Sequence, residues 1–351
     1  MFVNRIVNRT CTCTCTLLCL AALLFTSTAQ ADPLPTKDSS SAFASGYGFG
    51  YAGGNLYIYT GDSTYRADTT NPNNVTYTSV AAGVESAFSP SRGYQGSFAT
   101  NDNDQAIASF GYDGGVVVID LTGVVSPASI TGLENTNLYS VALRNDNTAY
   151  GFEYDNNTFD MAIRHFNTSG SLNSFASPGS DPATGGLTFD PAGNLYVSTF
   201  DYNTYPYPDP RGTAHFYRYD AADLAAWESG GGDPTPTLVG TGITNGNGTI
   251  AFGLDGNLYF NTTTGIGQVN LATGDVSTLY GDLLDTDLYT YVNLPLNGLA
   301  INPATGELAF AEYNTGAGQY ELRFLAVPEP ATTLLLFAGV AGLTLHRRKH
   351  G

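Results

Sequence analysis

The stretch Gly186-Leu187-Thr188-Phe189-Asp190-Pro191-Ala192-Gly193-Asn194-Leu195-Tyr196-Val197 decides the fold. It opens as a short apolar run, breaks at Asp-Pro-Ala-Gly-Asn and resumes as Leu-Tyr-Val. Asp and Asn side chains bond their own backbone in tight turns, and Gly or Asn tolerates the positive φ that such turns need. The flanking residues are aliphatic, aromatic or β-branched, which suits a pleated surface. The stretch therefore predicts one tight β-hairpin.

The hairpin recurs. Thr249-Ile250-Ala251-Phe252-Gly253-Leu254-Asp255-Gly256-Asn257-Leu258-Tyr259-Phe260 is a second clear copy, and Gly298 to Phe310 is a third. Weaker copies centre on Gly54-Asn55-Leu56-Tyr57, Asn103 to Ile107 and Asp146 to Tyr150. With Leu56, Ala106, Ala149, Leu195, Leu258 and Leu308 aligned, the intervals are 50, 43, 46, 63 and 50 residues. Two more strand-like segments follow where the pattern is clearest: Gly267 to Leu271 and Val276 to Leu279, and earlier Asp160 to Phe166 and Leu172 to Phe175. Four strands per unit at a period of about 40 to 50 residues make one propeller blade. A lone blade cannot bury both faces, whereas six stacked around an axis can. The predicted fold is all-β, a six-bladed β-propeller.

Two places in this frame are irregular. The first unit holds four strands between Gly46 and Val80, but the last shows only three: Gly298 to Ile301, Glu307 to Ala311 and Tyr320 to Leu325. A segment around Leu34 to Phe43 is expected to supply the missing outer strand and tie the ends together. The longest interval carries Asp201-Tyr202-Asn203-Thr204-Tyr205-Pro206-Tyr207-Pro208-Asp209-Pro210, whose proline density argues against a ladder. Tyr202, Tyr205 and Tyr207 are candidate ligand-stacking aromatics on that loop, set against the alternative that they pack on the blade rim. A short helix is expected over Ala221 to Trp227.

The Asp-x-x-Gly-Asn-Leu-Tyr units resemble those of the NHL-repeat and gluconolactonase-type propellers, over most of residues 45 to 325. The resemblance implies fold more than activity. Gluconolactonase-like enzymes hold an axial divalent ion with a few carboxylates and an Asn, but the sequence assigns no such ligands here, so any metal site is unknown. The chain departs from the WD-repeat pattern, having one tryptophan, Trp227.

Both ends read as addresses. Residues 1–31 form an expected signal peptide: Arg5 and Arg9, an apolar run from Leu17 to Phe25, and Ala29-Gln30-Ala31 as the cleavage site. All four cysteines (Cys11, Cys13, Cys15, Cys19) lie in this leader, so disulfides cannot brace the body that begins near Asp32. Residues 32–326 are the expected propeller domain. Residues 327–351 hold Val327-Pro328-Glu329-Pro330, an apolar run from Ala331 to Leu345, and a basic cluster with Arg347, Arg348 and Lys349. The run would span roughly 22 Å as a helix, enough for a thin bilayer, and the basic cluster would stop on the cytoplasmic side. This order resembles the PEP-CTERM sorting signal of Gram-negative bacteria. It implies an exosortase as partner, transient anchorage in the inner membrane, and delivery to the cell surface or extracellular matrix.

The body offers little chemistry. Residues 32–329 contain 8 basic and all 31 acidic residues, a balance that repels nucleic acid and anionic lipid. No Gly-x-Ser-x-Gly elbow or His-Glu-x-x-His helix is present. His165 and His215 are the only histidines outside the tail and read as blade residues, and no catalytic residue is expected. No cofactor is expected either. Calcium is the ion that Asp102-Asn103-Asp104 or Asp155-Asn156-Asn157 would suit, but neither has the spacing that wraps one, and Asx turns explain both. The expected function is an exported propeller that binds polysaccharide or another surface protein. The alternative is a metal-dependent lactonase or hydrolase with a divalent ion in the channel.

Overall fold

The computed structural model describes residues 32–35, 47–71, 74–84, 95–110, 115–123, 128–133, 136–154, 161–178, 185–202, 212–244, 248–262, 265–281, 298–314, 317 and 319–327. Within them lie six four-stranded antiparallel sheets. Blade 1 is β2 (Gly48–Ala52), β3 (Asn55–Tyr59), β4 (Thr64–Asp68) and β5 (Thr76–Ala81). Blade 2 is β6 (Gln95–Thr100), β7 (Gln105–Phe110), β8 (Gly115–Asp120) and β9 (Ala128–Ser129). Blade 3 is β10 (Leu138–Leu143), β11 (Thr148–Tyr154), β12 (Met161–Asn167) and β13 (Gly170–Ala176). Blade 4 is β14 (Leu187–Phe189), β15 (Leu195–Tyr202), β16 (Gly212–Tyr219) and β17 (Thr237–Thr244), with helix α1 (Ala221–Glu228) before its last strand. Blade 5 is β18 (Ile250–Phe252), β19 (Leu258–Asn261), β20 (Gly265–Val269) and β21 (Val276–Gly281). Blade 6 is β22 (Leu299–Ile301), β23 (Glu307–Asn314), β24 (Gln319–Ala326) and, from the other end of the chain, β1 (Asp32–Pro33).

The innermost strands touch in a closed cycle, β2 to β6, β10, β14, β18, β22 and back to β2. Six separate apolar clusters fill the six seams between neighbouring blades. Alternation along each strand makes this work, because successive side chains point to opposite faces. In β3, Leu56 and Ile58 pack toward blade 6 while Tyr57 and Tyr59 pack toward blade 2. Buried on both faces, the strand reads as continuously apolar. The six residues that mark the period, Leu56, Ala106, Ala149, Leu195, Leu258 and Leu308, are all 0–1 % exposed.

The ring closes as expected in kind but not in place. The outer strand of blade 6 is Asp32–Pro33, paired to Leu322 and Glu321, just upstream of the expected Leu34 to Phe43. Leu34 continues it with an N–H bond to the Tyr320 carbonyl and buries its side chain among Tyr47, Phe49 and Phe324. The Tyr47 hydroxyl then donates to the Pro35 carbonyl at 2.8 Å. Proline suits this edge because its missing N–H faces no partner strand. Residues 36–46 lie outside the described residues.

The long interval also needs a correction. The β15–β16 ladder includes Asp201 and Tyr202, opposite Thr213 and Gly212. Residues 203–211, with Tyr205 and Tyr207, lie outside the described residues.

Candidate functional site

The inner strands surround a channel of about 740 Å³ that opens on the face carrying the turns between first and second strands. One residue per blade forms its collar: Tyr51, Thr100, Leu143, Phe189, Phe252 and Ile301. Register explains the set, because each pairs across the hairpin with a fully buried period-marking residue. The collar is thus mostly apolar, with aromatic rings on blades 1, 4 and 5. Their residue types differ from blade to blade, so no repeat in the sequence betrays them.

Around the collar the hairpin turns build a polar rim. In blade 4, the Asp190 carboxylate accepts the N–H groups of Ala192 and Asn194 at 2.9 Å and the Asn194 amide at 2.7 Å. The Asn194 side-chain oxygen then accepts the Ala221 N–H at 2.9 Å, tying the turn to the start of α1. Blade 5 repeats the device. Asp255 accepts from Asn257 and, at 2.7 Å, from the Tyr259 hydroxyl, while the Asn257 oxygen accepts the Leu271 N–H. This explains Gly-Asn-Leu-Tyr: Gly takes the left-handed turn, Asn staples two turns, and Leu and Tyr fill opposite seams. Burial, then the Asp255 hydrogen bond, pushes the Tyr259 hydroxyl far above its ordinary range, so it stays protonated as a donor.

Blades 2 and 3 are stitched at the same level. The Asn101 amide donates to the Arg144 carbonyl and to Asn147 Oδ1 at 2.8 Å. Asn145 accepts the Asp102 N–H at 3.0 Å and returns its own amide to the Asp102 carboxylate at 3.1 Å. Asn101 Oδ1 also takes the N–H groups of Asn103 and Gln105, so Asp102-Asn103-Asp104 is a braced hairpin turn. Asp155-Asn156-Asn157 lies outside the described residues.

Arg144 is the one cationic side chain lining the channel among the described residues. Its guanidinium lies 4.8 Å from the Phe189 ring centroid and 5.1 Å from that of Tyr150. Glu228, the last residue of α1, holds it at 2.7 Å and also accepts the Tyr150 hydroxyl. Trp227 anchors the helix end against Tyr150 and Phe175. The insertion in blade 4 therefore fixes the orientation of a channel-rim arginine.

The two histidines sit in blades, away from the collar. His165 is buried, stacked on Tyr150 at 4.8 Å and bonded to Asn173 at 3.0 Å. Desolvation lowers its pKa, so it is neutral near pH 7. His215 bridges Asp201 at 3.0 Å and Thr241 at 3.2 Å on the outer part of blade 4. The channel gathers only two carboxylates from the described residues, Asp102 and Asp190, and turn amides occupy both. No group of three or more His, Cys, Asp or Glu converges among the described residues. This donor set does not fit an axial divalent ion.

The last strand leads straight into the tail. Ala326 pairs with Glu307 beside the Asn302–Gly306 turn, and Val327 is 6 % exposed among Tyr259, Ile266, Leu299 and Leu308. No described helix is long and apolar enough to cross a membrane. The expected leader, Ala29 and Ala31 included, and Pro328, Glu329, Pro330 and the basic cluster lie outside the described residues.

Among solved structures, the chain is similar to a gluconolactonase from Xanthomonas campestris, with 13 % identity, TM-score 0.52, and coverage of 85 % of this chain and 96 % of that one. A streptogramin B lyase (10 % identity, TM-score 0.48, covering 84 % and 96 %) and a chain of the mitotic checkpoint complex (12 %, 0.49, 87 % and 96 %) are also similar. At 13 % identity the likeness to the gluconolactonase shows the fold alone. No curated protein matches the chain. Residues 326–349 match the PEP-CTERM protein-sorting motif, and the chain is a six-bladed β-propeller that carries this motif directly behind its last strand.

Proposed function

We propose that this chain is an exosortase-sorted surface or matrix protein whose channel mouth binds a polysaccharide or another surface protein. The observation that carries the reading is the sorting motif joined without a linker to a propeller that has an open, built mouth. The collar rings Tyr51, Phe189 and Phe252 offer half-buried apolar surface, with the Arg144 guanidinium seated over the Phe189 ring, and Asp102, Asn145 and Asp190 offer directional polar groups around them. Rings with converging polar groups suit a sugar, which has apolar faces and a belt of hydroxyls. The acidic body suits neutral ligands or those bridged by divalent cations. The tail would hold the chain in the inner membrane through residues 331–345 until processing, with Arg347, Arg348 and Lys349 on the cytoplasmic side.

The test is retention of the purified protein on extracellular polysaccharide and cell-surface fractions from a Gram-negative host. Wild type should be retained, and Phe189→Ala should weaken retention at least tenfold without lowering the melting temperature by more than a few degrees. No retention on any fraction, or retention indifferent to Phe189→Ala and Tyr51→Ala, would remove this reading. Metal analysis after gentle purification addresses the metal-dependent lactonase directly: a stoichiometric ion lost together with esterase or lactonase activity would support it.

A further inference from the structure

β17 is the outer strand of blade 4, and no described strand lies beyond it in its sheet. A strand edge presents N–H and C=O groups to any other strand, and proteins blunt such edges with charge or proline. β17, Thr237-Leu238-Val239-Gly240-Thr241-Gly242-Ile243-Thr244, holds neither, although residues 32–329 carry 31 acidic residues. Of the five exposed large hydrophobics among the described residues it supplies two, Leu238 at 52 % and Ile243 at 71 %.

A bulge sets both on one face. Phe216 pairs with Gly240 and Tyr217 with Leu238, so Val239 has no counterpart in β16. Leu238, Thr241 and Ile243 thus oppose Tyr217, His215 and Thr213, alternate residues of β16 that share a face. Gly240 and Gly242 turn the other way, toward blade 5, where a Cβ would meet Val269 and Val276. With Val239 set aside, the strand reads Thr-Leu-Gly-Thr-Gly-Ile-Thr, the same order of residue types from either end.

We propose that β17 is the docking edge for a second copy of this chain, pairing antiparallel with the same strand about a two-fold axis at Thr241. Opposed residues in an antiparallel ladder share a face, and a two-fold axis sets each residue against the one equally far beyond the axis. Thr241 then meets Thr241, Gly240 meets Gly242, and Leu238 meets Ile243 twice, with faces matched at every step and Val239 bulged in both copies. The palindrome singles out a copy of this chain as the partner, because only the same sequence makes the two halves of the contact identical. Charge directs copies to the same edge: two strongly acidic bodies repel elsewhere, and β17 adds no charge to the contact. Blade 4 and its copy become one eight-stranded sheet across the axis.

Sedimentation of the purified full chain in mild detergent, which masks the apolar run of residues 331–345, tests the pairing together with chemical crosslinking. Wild type should sediment as a dimer. Thr241→Lys sets two cations against each other on the axis and should weaken dimerisation roughly a hundredfold. Ile243→Lys should also dissociate the dimer, and both variants should melt within a few degrees of wild type, since both side chains are exposed. A short bismaleimide should join Thr241→Cys to its copy far faster than Thr76→Cys, an exposed position on β5, the outer strand of blade 1. Wild type supplies the background from the leader cysteines. A wild-type monomer, whatever else it binds, a dimer indifferent to both lysines, or equal crosslinking of Thr241→Cys and Thr76→Cys would overturn the proposal.

Discussion

At the scale of single residues, one turn position recurs in all six blades with a left-handed backbone. Gly54, Asp104, Asn147, Gly193, Gly256 and Gly306 occupy it, with φ of 78°, 56°, 66°, 86°, 80° and 72°. Residues with a side chain adopt this conformation at a cost, which Asn and Asp feel least. Gly256 isolates the effect, because a Cβ there would meet nothing within 4 Å. Gly256→Ala should destabilise by about 1 kcal/mol and Gly256→Asn by less. Chemical denaturation of the three proteins checks the order, and an Ala variant as stable as wild type would remove the backbone argument. Glu307, at the same rim, gives a pH signature. Burial pushes its carboxyl above the ordinary glutamate range, so the folded chain holds that proton more tightly than the unfolded chain. Its contribution to stability is full below the unfolded pKa and is lost as pH rises through the higher folded value. Glu307→Gln should therefore melt above wild type at pH 7 and coincide with it near pH 3, below the ordinary glutamate value of 4.5. A constant offset across that range would assign the gain to something other than ionisation.

At the scale of elements, α1 is the part of the propeller that breaks the repeat. It buries two residues, Leu224 and Trp227, and its last residue holds Arg144. Trp227→Ala should cost about 3–4 kcal/mol by opening a cavity beside Tyr150, Phe175 and Tyr219. It should also release Glu228, and with it Arg144, from the rim. Ligand retention falling further in Trp227→Ala than in a mutant of equal stability on blade 1 would show that the helix serves the mouth. Sequence legibility divides along the same line. Turn chemistry and strand composition are local, so the hairpins, the four-strand units, the period and even the helix at Ala221 can be read directly. The collar cannot, because Tyr51, Thr100, Leu143, Phe189, Phe252 and Ile301 share only a register position. The Glu228–Arg144 pair joins residues 84 apart in sequence, and nothing local marks either partner. The closing strand lies a few residues before the expected segment because Asp32–Pro33 is too short to carry a pattern, whereas the stretch after it does.

At the scale of the whole molecule, closure by the chain's two ends is what makes six blades one body. Five seams are crossed where the chain leaves the last strand of one blade for the first strand of the next, whereas that between blades 6 and 1 is crossed only because β1 sits in blade 6 and leads on to β2. That seam is held by side-chain packing of β2 on β22, by Tyr47 and Phe49 against Phe324, and by the first residues of the body clasping β24. The clasp pairs residues almost 290 positions apart, so its loop-closure entropy is set against a few bonds and one buried leucine. It is therefore worth little in local contacts and much in cooperativity. Deleting Asp32, Pro33 and Leu34 removes those bonds, exposes the outer edge of β24 and empties the Leu34 position between Tyr47 and Phe324. The loss should be about 3 kcal/mol, or roughly 6 to 10 °C in melting temperature. Cooperativity should change as well: with the ring open, blades 6 and 1 would fray first, and tryptophan emission from blade 4 would then lag behind the loss of β-sheet circular dichroism. Coincident transitions at an unchanged temperature would mean that the inner strands alone hold the wheel shut. The ends would then be exits for the two addresses and nothing more.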